Sequence, residues 1–402
     1  MKNVITLLLP LAAFAAFAEI KIVEPAPGEV VPLLTDAQKA YVCMDRLARR
    51  EKFADSKYRK KEMGLPAEKL PGAKKSREAF WPKTVRIAWE AKDGVEYRVS
   101  VRDTSKGTVV IDEKTNSGEL HVDNLEIAAS YEWTVEGDGD SGKGAFKTEN
   151  MAPRLVRYPG VPNVRDFGGH IGLGGRRARQ GMIFRSAGLN DNAHDIYYTI
   201  DELREMGRLD EAKKGGDPKV KKGRVSGKSR VEGENGAYIL SRFGIKSDID
   251  LRSDRECYGM AGSPLGDTVT WFHYPSSAYG GMQGESGKKA FTKVFKVFLD
   301  AKNYPIDFHC IAGQDRTGAV SFILGALLGY DENTLYLDWE LTGFWNRKAK
   351  FNHTELFDKL VSGFAKNYPA DTIQESVVKY VRDLGFTDDD ISKFRSIMLE
   401  EH

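Results

Sequence analysis

The stretch FHCIAGQDRTGAV, Phe308 to Val320, sets a cysteine between an apolar strand-like run and an apolar helix-like run, with five residues separating Cys310 from Arg316. A tight loop at such a junction turns backbone N–H groups inward as an anion nest, and Gly313 permits the unusual dihedrals this needs. The dipole of the following helix adds partial positive charge at the same place. Such surroundings bring a thiol pKa from about 8.5 into roughly 3.5–7.5, so the thiolate prevails at neutral pH. The same groups bind phosphoryl oxygens, which makes Ile311, Ala312, Gly313 and Gln314 a candidate phosphate-binding loop. Arg316 supplies a planar fork for bidentate contact with a phosphate. In-line attack of the thiolate on phosphorus gives a cysteinyl-phosphate that water then hydrolyses. Thr317 is placed to donate a hydrogen bond to the sulfur and ease its departure. His309 reads as an orienting residue rather than a base, because a thiolate already ionised needs none. This chemistry requires neither metal nor cofactor. A buried structural cysteine would leave the Gly, Arg and Thr of one strand-to-helix loop unexplained.

Cys-x5-Arg-Thr in this setting resembles the signature of the cysteine-dependent protein tyrosine phosphatases. Three further motifs precede it in order: NVRDFGGH from Asn163 to His170, FRSAGL from Phe184 to Leu189, and IDLRSDRE from Ile249 to Glu256. With HCIAGQDRTG, of the HCxxGxDRTG type, they are similar to the bacterial tyrosine phosphatase family whose members include phosphoinositide-active enzymes. The resemblance spans roughly residues 153–400. It implies a central, mostly parallel sheet flanked by helices, with the phosphate loop at the carboxyl edge. It also implies that Asp315 is the general acid for the leaving oxygen. By chemistry alone Asp254 and Asp166 remain candidates for that role. Asn163, Arg165, Asp166 and Arg252 read as supporting residues that hold the loop and Arg316 in place. Many relatives carry Lys where this chain has Gln314, and that Lys is associated with highly charged inositol lipids. Gln removes a positive charge there and tilts the expectation from phosphoinositides toward phosphotyrosine.

The elements around these residues are mixed. TGAVSFILGALLGY is apolar all round and predicts a buried central helix, while Phe291, Val294, Phe295, Phe298 and Leu299 line one stripe of another. YPIDFHC and VTWFHYPS read as strands, and Thr387 with Asp390 makes a capping-box start before Ile391. Residues 151–402 therefore form the expected α/β phosphatase domain. Upstream, residues 81–150 alternate with a period of two through Val85, Ile87, Trp89, Tyr97, Val99, Val101, Tyr131, Trp133 and Val135. That predicts a small all-β sandwich, and its last part, YEWTVEGD followed by GKGAFKT, resembles the final strands of fibronectin type III modules. Trp133 reads as core. Residues 19–80 hold an extended lead-in, a helix over 35–51 capped by Thr35, and a charged linker rich in Lys, Pro and Gly. Residues 207–235, with nine Lys/Arg against five Asp/Glu, predict a long surface excursion, either a plain solvated loop or a device that steers anionic substrates.

Residues 1–18 carry a Lys, an apolar run and Ala16-Phe17-Ala18, which predicts a signal peptide cut after Ala18 and a secreted or periplasmic protein. The run is shorter than the roughly 20 residues of a spanning helix. A formal net charge of +2 gives no ground for nucleic-acid binding. Three cysteines, Cys43, Cys257 and Cys310, make no disulfide framework, although Cys43 and Cys257 are free to pair. The expected partner is a phosphorylated protein or small phosphomonoester. Competing readings are an inositol-phosphate hydrolase, a catalytically silent phospho-ligand binder and a thiol reductase. The partner of the β module is open.

Overall fold

The computed structural model describes residues 19–55, 81–211, 220–345 and 352–401. The expected signal peptide, the charged linker beyond Asp55 and part of the basic excursion, 212–219, lie outside the described residues. The chain forms two units. One takes the described residues up to Pro32 together with Thr84–Glu149, and the other takes the described residues from Leu33 to Lys83 and from Asn150 onward.

The first unit is all β, as the alternation predicts. Strands β1 (Ile22–Glu24), β3 (Val85–Trp89) and β6 (Glu119–Val122) form one sheet. Strands β2 (Glu29–Val31), β8 (Asp140–Thr148), β7 (Ser130–Gly137), β4 (Tyr97–Asp103) and β5 (Val109–Thr115) form the other. Residues from the nominal lead-in thus contribute a strand to each sheet. Inward side chains meet between the sheets: Trp89 of β3 lies 5.5 Å from Tyr97 and 6.3 Å from Trp133, centroid to centroid. All three are buried, so Trp133 is core.

The second unit is built on a five-stranded sheet in the order β14 (Thr270–His273), β13 (Ser247–Asp250), β15 (Ile306–His309), β10 (Ile183–Ser186), β9 (Arg165–Asp166). The β13–β14, β13–β15 and β10–β15 pairs are parallel, and β9 closes one edge antiparallel. Successive side chains alternate between faces. Ile183, Ile249, Ile306 and Phe308 enter the larger core, with helices Glu285–Phe298 and Asp315–Leu327. Phe184 enters the smaller core with Ile239 and Phe243 of helix Glu234–Phe243. Every residue from Thr317 to Leu327 is buried, the burial expected of a helix with no polar face. Thr387 and Asp390 do make the capping box. The basic excursion is partly regular: β12 (Lys221–Val225) pairs antiparallel with β11 (His194–Tyr197).

The single helix expected over 35–51 is two. Helix α1 (Asp36–Val42) starts at a Thr35–Gln38 capping box, and α2 (Arg46–Ala54) starts at Asp45, whose carboxylate accepts from the Ala48 N–H at 3.0 Å. A side chain that caps a new helix offers the backbone an alternative to continuing the old one. This helix pair belongs to the second unit rather than to a linker. Leu34 and Tyr41 are buried with Leu155, Leu337 and Leu341. Arg49 Nε donates to Glu340 Oε2 at 2.7 Å, with both side chains buried.

Candidate active site

Strand β15 delivers His309 and Cys310 to the carboxyl edge of the sheet, between its parallel neighbours β10 and β13. The chain then turns through Ile311–Gln314 into the helix that starts at Asp315. Three consecutive loop carbonyls are held from outside. The Gly188 N–H donates to Ile311 O at 3.2 Å, Asn163 Nδ2 to Ala312 O at 2.8 Å, and Arg185 Nη2 to Gly313 O at 2.5 Å. Across a planar trans peptide the next N–H points the opposite way. The amides of Ala312, Gly313 and Gln314 therefore face away from those donors, which is the orientation an anion nest needs. Gly313 sits at φ 65, and a Cβ there would lie 2.4 Å from Ser186 O, so no other residue fits. Gln314 is buried, and its Nε2 has no hydrogen-bond partner among the described residues.

Cys310 is 1% exposed. Burial alone would push its thiol up, but the Arg316 guanidinium and the hydroxyl and N–H of Thr317 outweigh it and hold the thiol below its ordinary value. Thr317 Oγ1 is buried with no other hydrogen-bond partner among the described residues. Arg316 donates Nη1 to Glu256 Oε2 at 2.7 Å and Nη2 to Glu256 Oε1 at 3.0 Å, a bidentate pair that fixes the plane of the fork. Burial would raise the Glu256 carboxyl, but Arg316 and Ser253 bring it down to about 2. Burial also opposes the charge on Arg316, yet Glu256 and Cys310 raise it above its ordinary value. Asp315 occupies the first helical turn and accepts a hydrogen bond from the Tyr279 hydroxyl. Tyr279 itself sits at φ 49, a backbone region that aromatic residues rarely adopt.

The supporting residues fall into place unevenly. Asn163 reaches the loop directly, and its Oδ1 accepts from Arg165 Nη1 at 2.8 Å. Arg165 Nε donates to Asp338 Oδ1 at 2.7 Å, and Arg185 Nη1 donates to Asp338 Oδ2. One carboxylate thus anchors two buried arginines, and through Asn163 and Arg185 it braces two adjacent loop carbonyls. Arg252 is wholly buried against Asp250, its Nε 2.9 Å from Oδ1. Asp166 accepts from Arg154 Nη1 and from the Gly168 and Gly181 amides, which makes it a backbone brace. The Asp254 side chain is 92% exposed, with its nearest basic contact at His273, 3.7 Å away. His309 Nδ1 lies 3.2 Å from Cys310 O, an orienting contact. All three cysteines are free, and Cys257 Sγ donates to Asp250 Oδ2 at 3.3 Å.

Residue-by-residue reading of the sequence missed Glu256, Arg185, Asp338 and Tyr279. Glu256 and Arg185 stand inside quoted motifs, and their charge was their only signal. Asp338 and Tyr279 carried none.

Compared with known sequences, residues 198–400, half of the chain, match the profile of the tyrosine phosphatase family. The chain belongs to that family. One relative, a protein of Cupriavidus necator named as a candidate tyrosine-protein phosphatase, is 26% identical over 204 residues, covering 50% of this chain and 67% of its own length. The family match takes in the Cys310 loop, Glu256 and Asp338, and begins after Asn163, Arg165 and Arg185. As a tyrosine phosphatase family member the chain has a phosphorylated substrate, and among the described residues no helix is long and apolar enough to cross a membrane.

Proposed function

We propose that the protein hydrolyses phosphotyrosine, with phosphoserine and phosphothreonine as further substrates, through a cysteinyl-phosphate. The observation that carries this reading is the geometry of the loop: buried Cys310 follows strand β15, the Ile311, Ala312 and Gly313 carbonyls are held from outside, and Glu256 fixes the Arg316 fork. Loop amides and the Arg316 fork bind the three non-bridging oxygens. The thiolate attacks phosphorus, a P–S bond forms, and the P–O bond to the tyrosyl oxygen breaks as Asp315 gives that oxygen a proton. Asp315 then takes a proton from water as the water attacks phosphorus, and Thr317 stabilises the departing sulfur. Glu256 has no part in proton transfer, because the ion pair with Arg316 keeps it charged. Asn163, Arg165, Asp166 and Arg252 are positioning residues. The Lys, apolar run and Ala16-Phe17-Ala18 support export by cleavage after Ala18, and the strand alternation supports a fibronectin type III-like β module.

The name of the Cupriavidus necator relative supports a protein substrate. Gln314 in place of a lysine supports phosphotyrosine over inositol lipids. The test is a panel of phosphotyrosine and phosphoserine peptides, inositol hexakisphosphate and inositol lipids, run on wild type and Cys310→Ser together. Turnover of phosphotyrosine that vanishes in the variant is expected. A dominant rate on inositol phosphates would replace the substrate assignment, and phosphate binding without turnover in wild type would make the protein a silent binder.

A further inference from the structure

Behind the nucleophile lies a polar cluster that this phosphatase reaction does not use. Strand pairing sets Asp248 of β13 beside Asp307 of β15, and Ser186 of β10 beside His309. Alternation then puts all four side chains on one face of the sheet, the face of Phe184. Asp248, Asp307 and His309 are each fully buried. They offer one donor atom apiece, and those atoms lie within 4.8 Å of one another.

The outer atom of each residue is already engaged. Ser263 Oγ donates to Asp248 Oδ2 at 2.7 Å, and Ser186 Oγ donates to Asp307 Oδ2 at 2.8 Å. His309 Nδ1 lies 3.2 Å from Cys310 O, so as the Nδ1–H tautomer it donates there and leaves Nε2 as a lone pair. The inner atoms, Asp248 Oδ1, Asp307 Oδ1 and His309 Nε2, have no hydrogen-bond partner among the described residues. His309 Nε2 and Asp248 Oδ1 are 3.0 Å apart, an ion-pair distance, but not in hydrogen-bond geometry. A cationic His309 would balance one of the two carboxylates and leave Asp307 Oδ1 bare in the core. Carboxylates braced on the far oxygen, and an imidazole braced through its other nitrogen to a backbone carbonyl, are how proteins orient metal ligands.

We propose that Asp248, Asp307 and His309 form a structural site for a first-row divalent cation of the Zn²⁺ or Mn²⁺ class. Two carboxylates neutralise the double charge, and the imidazole selects against Ca²⁺ and Mg²⁺, which take oxygen ligands. The ion takes no part in phosphoryl transfer. It fixes His309 and, through the Cys310 carbonyl, the base of the phosphate loop.

The test uses untagged full-length protein carrying Cys310→Ser, so that no metal is held by the catalytic thiolate. Metal content is read by mass spectrometry before and after dialysis against a chelator, and melting is followed with added Zn²⁺ or Mn²⁺. We expect about one metal per chain, lost on chelation. Readdition at a hundredfold excess over Kd should raise the midpoint by about 5–10 °C. Co²⁺ in the same site should show d–d bands without a sulfur charge-transfer band. Asp307→Asn should lose the metal and the thermal response. Protein that purifies metal-free and melts at the same temperature with either ion would overturn the proposal, as would equal metal retention in Asp307→Asn. Should that variant not fold, the metal content and melting response of the Cys310→Ser protein decide.

Discussion

Removing the Asp338 carboxylate is the sharpest test of how the phosphate loop is held. Arg165 and Arg185 are both buried and both point at this one group. Burial and the like charge of Arg165 already hold the Arg185 guanidinium down to about 9. Without Asp338 the two cations lose the carboxylate they share. Breaking a buried ion pair by deleting one partner costs about 3–5 kcal/mol. At roughly 2–4 °C per kcal/mol for a domain of this class, the midpoint of Asp338→Ala should fall by about 6–20 °C. Asp338→Asn keeps the shape and an acceptor but not the charge, so it should fall nearly as far. Hydrolysis of p-nitrophenyl phosphate, measured well below the new midpoint, should show kcat reduced by up to about 100-fold, the effect of a displacement near 1 Å at reacting groups. The Ala312 and Gly313 carbonyls lose their braces together. An Asn variant that melts within about 1 °C of wild type, with kcat unchanged, would refute the coupling between Asp338 and the loop.

Three further outcomes are expected. Alkylation by iodoacetamide, mapped by peptide mass spectrometry from pH 5 to 9, should label Cys310 with an inflection below the ordinary thiol value of about 8.5, since a depressed pKa raises the thiolate fraction at every pH below it. Cys257, pushed up by burial and Asp250, should stay unlabelled across that range, and equal labelling of the two would contradict the assignment. Asp315→Asn should slow alkyl phosphates more than aryl phosphates, because good leaving groups need no proton, and equal slowing would remove Asp315 from the acid role. Gly313→Ala should abolish turnover, because its Cβ would meet Ser186 O at 2.4 Å and φ 65 is strained for alanine; near-normal activity would mean the loop relaxes freely.

How much of this was readable beforehand depends on the range of the signal. Cys310, Gly313, Arg316 and Thr317 span one short loop and the first turn of the helix it enters, each residue type with a separate chemical reason, and the apolar remainder of that helix needed only its composition. The strand alternation through Tyr97, Val99 and Val101 was equally local. Asp338 was not readable, because its role exists only once β9, β10 and helix Glu332–Glu340 converge. Asp254 and Glu256 stand two residues apart with the same kind of side chain, and only the fold turns one onto Arg316 and the other to solvent. The helix break at Cys43–Asp45 was hidden because Asp45 tolerates either a helix interior or a cap, and tertiary docking chose.

The docking of α2 also bears on biosynthesis. Arg49 meets Glu340 across a sequence separation of 291 residues. At translation speeds of roughly 5–20 residues per second, α2 waits about 15–60 s for its counter-ion to be made. A shortened gene starting at Asn150 would never supply the guanidinium, leaving Glu340 as a bare acid in the interior. The early helices therefore serve the phosphatase unit as a late-fitting keystone, and the β unit cannot be trimmed away by a single cut without taking that piece with it.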